Sequence, residues 1–293
     1  MWIGFTLLAA FMQAWRNVFQ SQLSQQMSVA GVTLARFIWA GPLVAVYLVA
    51  LHQVQPSALP DFTHDFNADF WRLIGAAALL QITATVLMVT LFKMRDYAIG
   101  AGLAKSEALV AALLGVWFFS AEMSLMGWLG VIIGAVAILM MSCPNGSRLS
   151  VATAGIGLLC GSAFALTSLC AREASLSLPF GYMHSAAWVL LWVILLQTVL
   201  LLGFIALSDR GLLVRILKPS KLVFTISLTS CLGSIGWFSA MALQDVALVK
   251  TFGQVEVFIT LLIARFYLKS STKLYDILAL ILIAIAAILV IWG

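Results

Sequence analysis

Ten long apolar segments dominate this sequence of 293 residues and constrain its fold more than any other feature. Apolar residues make up 63% of the chain and charged residues only 9%, whereas soluble domains are about 25% charged. A water-soluble protein of this length has too little polar surface to cover so much apolar material. The expected fold class is therefore an all-α integral membrane protein that lies in the lipid bilayer.

Each segment is long enough to cross a membrane, because a transmembrane helix needs about 20 mostly apolar residues. Pro42 lies inside the second segment and is expected to kink that helix. The first segment lacks a basic leader and a small-residue cleavage site, so we interpret it as a retained helix. The predicted helices comprise residues 2–22, 29–51, 70–93, 97–119, 123–142, 151–172, 180–207, 220–243, 246–269 and 273–292.

The chain contains an internal repeat. An offset of 149 residues aligns the two halves without a gap and superposes Asp96 on Asp245 and Glu107 on Glu256. Each half holds five predicted helices, an odd number, so the second half must enter the membrane in the opposite direction, as in transporters built from inverted repeats. The alternative is that the duplication built only a scaffold. The predicted units are a first repeat at 1–143, a linker at 144–150 and a second repeat at 151–293.

Two glutamates fall near the middle of the bilayer. Glu107 and Glu256 each lie ten positions after the start of their predicted helices, or about 15 Å deep at 1.5 Å per residue. An ionisable side chain at this depth is costly and marks a functional site. Glu107 and Glu256 are therefore candidates for proton coupling, and the alternative is that fixed ion pairs or hydrogen bonds neutralise both. Lys105 lies two positions from Glu107, on a different helix face, so the two are not expected to pair.

Three basic residues lie in one half of the bilayer. Arg16, Arg36 and Lys105 all fall on the side of the loop between helices 1 and 2, and their repeat counterparts are neutral. This half is expected to attract a carboxylate or a phosphate, although the two arginines could instead reach the membrane surface. Lys250 and Arg265 lie nearer the ends of helix 9 and are interpreted as interfacial.

Polar and aromatic residues at a similar depth extend this candidate site, and Thr85 of helix 3 is among them. The predicted substrate-binding residues are Gln13, Trp15, Arg16, Arg36, Gln81, Lys105, Glu107, Ser234, Trp237, Gln254 and Glu256.

Arg36 in helix 2 and a glutamate in the middle of helices 4 and 9 resemble the drug/metabolite transporter superfamily, in particular the EamA-like permeases. Residues 91–142 are similar to one EamA repeat and residues 240–292 to the second. The resemblance implies a cavity lined by helices 1, 3, 4, 6, 8 and 9, peripheral helices 5 and 10, and export or exchange of small metabolites. The family commonly has a proline after each glutamate, whereas this chain has Ala108 and Val257.

The predicted function is secondary active transport of a small organic metabolite with an anionic group, by alternating access around a midplane site. The alternatives are a flippase for a lipid-linked substrate, a non-transporting receptor or assembly subunit and, least favoured, an intramembrane enzyme, for which no catalytic motif is found. The expected partners are the substrate and the bilayer, with the chain as a monomer or homodimer. We predict no nucleic-acid binding, no cofactor and no metal site, because the four cysteines show no metal-binding spacing.

The positively charged residues predict an orientation in the inner membrane. The odd-numbered connections contain Lys93, Arg95, Arg148, Arg210, Arg215, Lys218, Lys221, Lys269 and Lys273, whereas the even-numbered connections contain Arg72 and Arg172. The positive-inside rule then places the odd connections in the cytoplasm and both termini outside.

Overall fold

The chain is described here by a computed structural model covering residues 1–62, 64–94, 104–118, 122–142, 151–218, 220–266 and 274–292. These residues form helices joined by turns and loops, with no β-strand among them. A short 3₁₀ helix at Gly253–Val255 lies between the α-helices Val246–Phe252 and Glu256–Phe266. The α-helices are α1 (Trp2–Ser24), α2 (Val29–Phe37), α3 (Ala40–Val54), α4 (Ala68–Lys93), α5 (Glu107–Phe118), α6 (Leu125–Ser142), α7 (Val151–Leu176), α8 (Tyr182–Ser208), α9 (Arg210–Leu217), α10 (Lys221–Leu243), α11 (Val246–Phe252), α12 (Glu256–Phe266) and α13 (Leu274–Trp292).

Several of these helices are long and apolar enough to cross a membrane. Large apolar side chains such as Val49 and Phe204 are exposed on the outside of the bundle, at 63% and 60%, where lipid rather than water suits them. The protein is therefore an all-helical chain with the character of a multi-pass membrane protein. Within the described residues, six candidate spans meet the length and hydropathy requirement: Val29–Val54, Ala68–Lys93, Val151–Leu176, Tyr182–Ser208, Lys221–Leu243 and Val246–Ile263.

Most predicted helices agree with observed ones to within a few residues, but two predicted helices are divided. The predicted helix 29–51 is split into α2 and α3, and the predicted helix 246–269 is split into α11, the 3₁₀ turn and α12. The connection after α8 contains the short helix α9, which lies between the predicted helices 180–207 and 220–243. The first part of predicted helix 4 and the linker 144–150 lie outside the described residues.

The break between α2 and α3 falls at residues 38–39, four residues before Pro42. Proline lacks a backbone N–H and its ring clashes with the carbonyl four positions earlier, so the helix cannot continue through this turn. Ser227 of α10 supplies hydrogen bonds to the backbone at this break. Its hydroxyl donates to the Ala35 carbonyl at 2.7 Å and accepts from the Trp39 N–H at 3.3 Å. The expected kink at Pro42 is thus an interruption sealed by a neighbouring helix, as irregular backbone within a membrane requires.

Long helix pairs pack closely around the centre of the bundle. α1 lies along α10 and α4 lies along α7, while α5 contacts α11, α3 contacts α8 and α6 contacts α13. Small residues allow this proximity. At Gly236 of α10, a Cβ atom would lie 2.6 Å from the Phe5 carbonyl oxygen of α1, so only glycine permits the observed approach.

Candidate functional site

The two glutamates predicted at mid-membrane each occupy the first position of a helix that follows a break. Glu256 begins α12 immediately after the 3₁₀ turn Gly253–Val255. Glu107 begins α5 immediately after a turn at Lys105 and Ser106. The N-terminus of a helix has free backbone N–H groups and a positive partial charge, so it stabilises a carboxylate there.

Each glutamate forms an ion pair with a lysine from the other half of the chain. Lys105 Nζ donates a short hydrogen bond to Glu256 Oε2, and Lys250 Nζ lies 2.8 Å from Glu107 Oε1. The four side chains are exposed by 21% or less, and Glu256 by only 3%. Both pairs join the segment that leads into α5 to the segment containing α11 and α12. We refer to them below as the two ion pairs.

Polar side chains of α1 complete the environment of Glu256. Gln13 Nε2 donates to Glu256 Oε2 at 2.6 Å, and Asn17 Nδ2 donates to Glu256 Oε1 at 2.9 Å. The Gln13 carbonyl oxygen in turn accepts from the indole N–H of Trp237 at 2.9 Å. Both oxygens of this buried carboxylate therefore accept hydrogen bonds, and both α1 and α10 are tied to it.

Glu107 has a less crowded environment. Besides Lys250, it accepts a hydrogen bond from the Ser168 hydroxyl of α7 at 3.2 Å. Lys250 Nζ also lies 4.0 Å from the centre of the Trp237 ring, a cation–π distance. Trp237 therefore contacts Lys250 directly through its ring face. Its N–H is linked to the Lys105–Glu256 pair through the hydrogen bond to Gln13.

Two arginines lie beside the ion pairs without a carboxylate partner among the described residues. Arg16 donates from Nη2 to the side-chain oxygen of Asn17 at 3.1 Å. Arg36 donates from Nη1 to the hydroxyl of Thr85 at 2.7 Å and lies over the rings of Phe37 and Phe164. Each arginine is only 4% exposed.

These side chains surround a small central cavity of about 30 Å³. That volume has room for about two water molecules, so the side chains of the site leave little free space between them. The cavity is lined by Gln13, Arg16, Arg36, Gln81, Met88, Ala104, Lys105, Glu107, Phe164, Thr167, Ser168, Ser234, Trp237, Phe238, Met241 and Lys250.

A second cavity of about 360 Å³ lies at the end of the bundle where α7 ends and α11 begins. It extends along α5 to Ala111, one helical turn from Glu107. At its wall, Arg172 of α7 pairs with Asp245 at 2.8 Å and donates to the carbonyl oxygens of Met241 and Gln244, which end α10. The acidic residues Glu122 and Glu173 also line it, so this cavity has a negative wall whereas the central cavity is cationic.

The structure brings most of the predicted substrate-binding residues together. Gln254 and Glu256 line a recess directly beside the central cavity. Trp15 instead stacks on Phe19, with ring centres 5.7 Å apart, and lines neither cavity, so its role stays a prediction. The predicted residues that line the central cavity itself are Gln13, Arg16, Arg36, Gln81, Lys105, Glu107, Ser234 and Trp237.

The interpretation of Lys250 as an interfacial residue is wrong, because its side chain is 10% exposed and pairs with Glu107. Its spacing offered a signal, since Lys250 precedes Gln254 by four residues and therefore shares its helix face. Asn17 was missed as well, although it lies four residues after Gln13. The side chain of Arg265 lies outside the described set. Within the described residues, no group of His, Cys, Asp and Glu could hold a metal ion.

Comparison with known proteins identifies the fold but no family. No protein-family model matches this chain, and no curated protein matches it in sequence. Twenty-eight chains of solved structures resemble it. One, described only as "Crystal structure of protein", superposes with a TM-score of 0.65 at 14% identity, covering 97% of this chain and 98% of its own length. The whole chain therefore shares a fold with an experimentally known structure.

Proposed function

We propose that this chain is a secondary transporter of a small organic metabolite carrying an anionic group, working by alternating access around the two ion pairs. One observation carries the proposal: four charged side chains from the two halves of the chain form two ion pairs at a small cavity and its adjoining recess, inside an apolar bundle. Charged groups inside a membrane protein are costly and are found where an ion, a proton or a substrate passes. A structural scaffold has no use for them.

The pattern of helix contacts supports the inverted repeat. Exchanging the two halves converts the α1–α10 contact into the α7–α4 contact, and both are extensive. The same exchange maps the α3–α8 and α6–α13 contacts onto themselves. With the ten predicted helices arranged as two inverted five-helix units, this is the pattern that a two-fold axis in the membrane plane produces. Interrupted helices at corresponding positions of the halves are characteristic of transporter binding sites.

The two cavities support alternating access. The central cavity is small, whereas the larger second cavity extends from the end of the bundle where α7 ends to Ala111, one helical turn from Glu107. Under the orientation that the lysine and arginine distribution predicts, that end faces outside the inner membrane. The cationic residues then lie on the cytoplasmic side of the ion pairs, which suits capture of an anionic solute for export.

The resemblance to EamA-like permeases is compatible with this geometry. The central cavity is lined by α1, α4, α5, α7, α10 and α11, together with Arg36 of α2. Among the described residues, neither α6 nor α13 contributes to its lining. Membership of the drug/metabolite transporter superfamily is part of the proposal.

A screen followed by a flux measurement tests the proposal. Purified protein is first screened for ligands that raise its melting temperature, with anionic, neutral and cationic metabolites at equal concentration. Each hit is then loaded into proteoliposomes, and entry of the labelled compound by counterflow is measured. We expect stabilising hits among the anions and counterflow that protein-free liposomes lack. Counterflow for none of the hits would contradict the transport proposal.

A lipid-linked substrate remains the alternative, because the cationic cavity has partly apolar walls. It would appear in the same reconstituted system as movement of a fluorescent phospholipid between leaflets without counterflow of any water-soluble anion.

A further inference from the structure

The charges in the central cavity do not balance. Among the described residues, four cationic side chains line it, whereas two carboxylates line it or its adjoining recess. The two ion pairs use both carboxylates and both lysines. Arg16 and Arg36 therefore contribute two positive charges that no described residue neutralises.

These two charges cannot be removed by loss of a proton, because an arginine side chain stays protonated in proteins. Bulk water solvates them little, since each residue is only 4% exposed. Their hydrogen-bond partners, Asn17 and Thr85, are neutral. The Nε atom of each arginine is buried and has no partner among the described residues. Each guanidinium thus keeps unused hydrogen-bonding capacity inside the protein.

Arg16 and Arg36 also line the same small cavity. Repulsion between buried like charges is relieved when one anion binds between them. Because both residues line that one cavity, one group that carries both negative charges, as a phosphoryl dianion does, can face the two guanidinium groups together. Arginine presents parallel N–H groups that match the oxygen spacing of phosphate.

On the basis of the transport function proposed above, we propose that Arg16 and Arg36 together bind a doubly charged phosphoryl group, so that the solute is a phosphate monoester. Its two negative charges restore the charge balance that the protein lacks. The same chemistry is present in a free phosphate ester and in a lipid with a terminal phosphate, and the experiment below separates these sources.

Two ligands that differ in charge but keep the phosphoryl group test this assignment without any mutation. Methyl phosphate is mainly a dianion at about pH 7.5, because its second pKa is about 6, whereas dimethyl phosphate carries one charge. Binding of each to purified protein in a neutral detergent is measured by calorimetry. We expect methyl phosphate to bind at least tenfold more tightly. Equal affinity for the two ligands would overturn the proposal.

Substitutions then assign the binding to the arginines. Arg16→Gln and Arg36→Gln should each weaken methyl phosphate binding at least tenfold, whereas Arg36→Lys should keep the preference for the dianion in weakened form. The matched control is Arg72→Gln, because Arg72 is 80% exposed and pairs only with Asp69. Unchanged binding in both glutamine variants, with monodisperse protein on gel filtration, would also overturn the assignment.

A lipid arm identifies the source of the phosphoryl group. Nanodiscs containing phosphatidate, a phosphate monoester, are compared with nanodiscs of uncharged lipid. Arginine-dependent binding of methyl phosphate that phosphatidate abolishes supports the assignment and indicates a lipid-linked solute. Binding that phosphatidate leaves unchanged supports it and indicates a soluble ester.

Because these measurements are made at equilibrium, they separate the two proposals. Dianion binding without counterflow would refute transport alone, and counterflow of other solutes without dianion binding would refute the phosphoryl assignment alone.

Discussion

The Glu256 carboxylate is buried and accepts several hydrogen bonds. It accepts from Lys105, Gln13 and Asn17 and is 3% exposed. A buried charge that loses its partner destabilises a protein by about 3–5 kcal/mol, whereas replacing both partners is often nearly neutral. Stability and transport should therefore respond differently to single and double substitutions at this pair.

We predict that Glu256→Gln lowers the free energy of unfolding by about 3 kcal/mol and reduces counterflow at least tenfold. The double variant Lys105→Met with Glu256→Gln should regain most of the stability and none of the counterflow. Unfolding is measured by denaturant titration in mixed micelles. Asp69→Asn, an exposed acidic residue, serves as the control for both readouts. Full counterflow in the double variant would show that this ion pair takes no part in transport.

Glu107→Gln should be less destabilising than Glu256→Gln. Among the described residues, Glu107 has Lys250 and Ser168 as its partners, and it is 13% exposed. After the substitution Lys250 still lies over the Trp237 ring. The same titration, performed on both variants in parallel, gives the order. A larger loss for Glu107→Gln would contradict the hydrogen-bonding environments described above.

At the residue scale, the sequence predicted which residues come together better than it predicted their partners. Most predicted site residues do line the central cavity or its recess, whereas the mid-membrane depth of Glu107 and Glu256 stays a prediction. Which lysine pairs with which glutamate depends on how helices from the two halves are rotated against each other. That rotation depends on how the helices pack. The sequence therefore predicted that Lys105 is buried but not that it pairs with Glu256.

At the scale of the helices, the interruptions are the main departure from the sequence prediction. Apolar periodicity continues through residues 246–266, so it gave no reason to divide this helix. Gly253 lies in this break, and a Cβ there would collide with the Trp237 ring, the second-nearest ring atom being 2.9 Å away. The large ring thus occupies the space that a longer side chain would take.

Gly253→Ala should displace Trp237 and weaken its hydrogen bond to Gln13. Excess volume in a packed interior costs about 1–3 kcal/mol, and we expect a loss of stability of that size with impaired counterflow. The control is Gly203→Ala in α8, where a Cβ would have nothing within 4 Å and helix propensity favours alanine by about 1 kcal/mol. Destabilisation by both substitutions would indicate a general sensitivity of the bundle rather than a specific contact with Trp237.

At the scale of the whole molecule, composition alone was sufficient to predict an all-helical membrane protein, and the described residues confirm that coarse description. The ten-helix count and the inverted arrangement rest on the repeat and on the pairing of helix contacts, and they stay predictions. Their most direct consequence is the side of the membrane on which each connection lies.

Cysteine labelling in intact cells measures this orientation. In a variant without native cysteines, Ala58→Cys lies in the exposed loop after α3, and Lys218→Cys lies in the exposed connection after α9. The positive-inside rule predicts that a membrane-impermeant maleimide labels the first and not the second until the cells are permeabilised. The reverse pattern would invert the orientation, and labelling of both in intact cells would exclude an odd number of spans between the two positions.

The two ion pairs also affect how the chain is made. Each pair takes one residue from the first half and one from the second, so the first half emerges from the ribosome with Lys105 and Glu107 lacking their partners. On insertion scales, a lysine or aspartate at the centre of a helix disfavours membrane integration by about 2.5–3.5 kcal/mol, and a glutamate belongs to the same costly class. We therefore expect α5 to reach its final position only after α11 and α12 have been synthesised, which would make completion of the site one of the last steps of assembly.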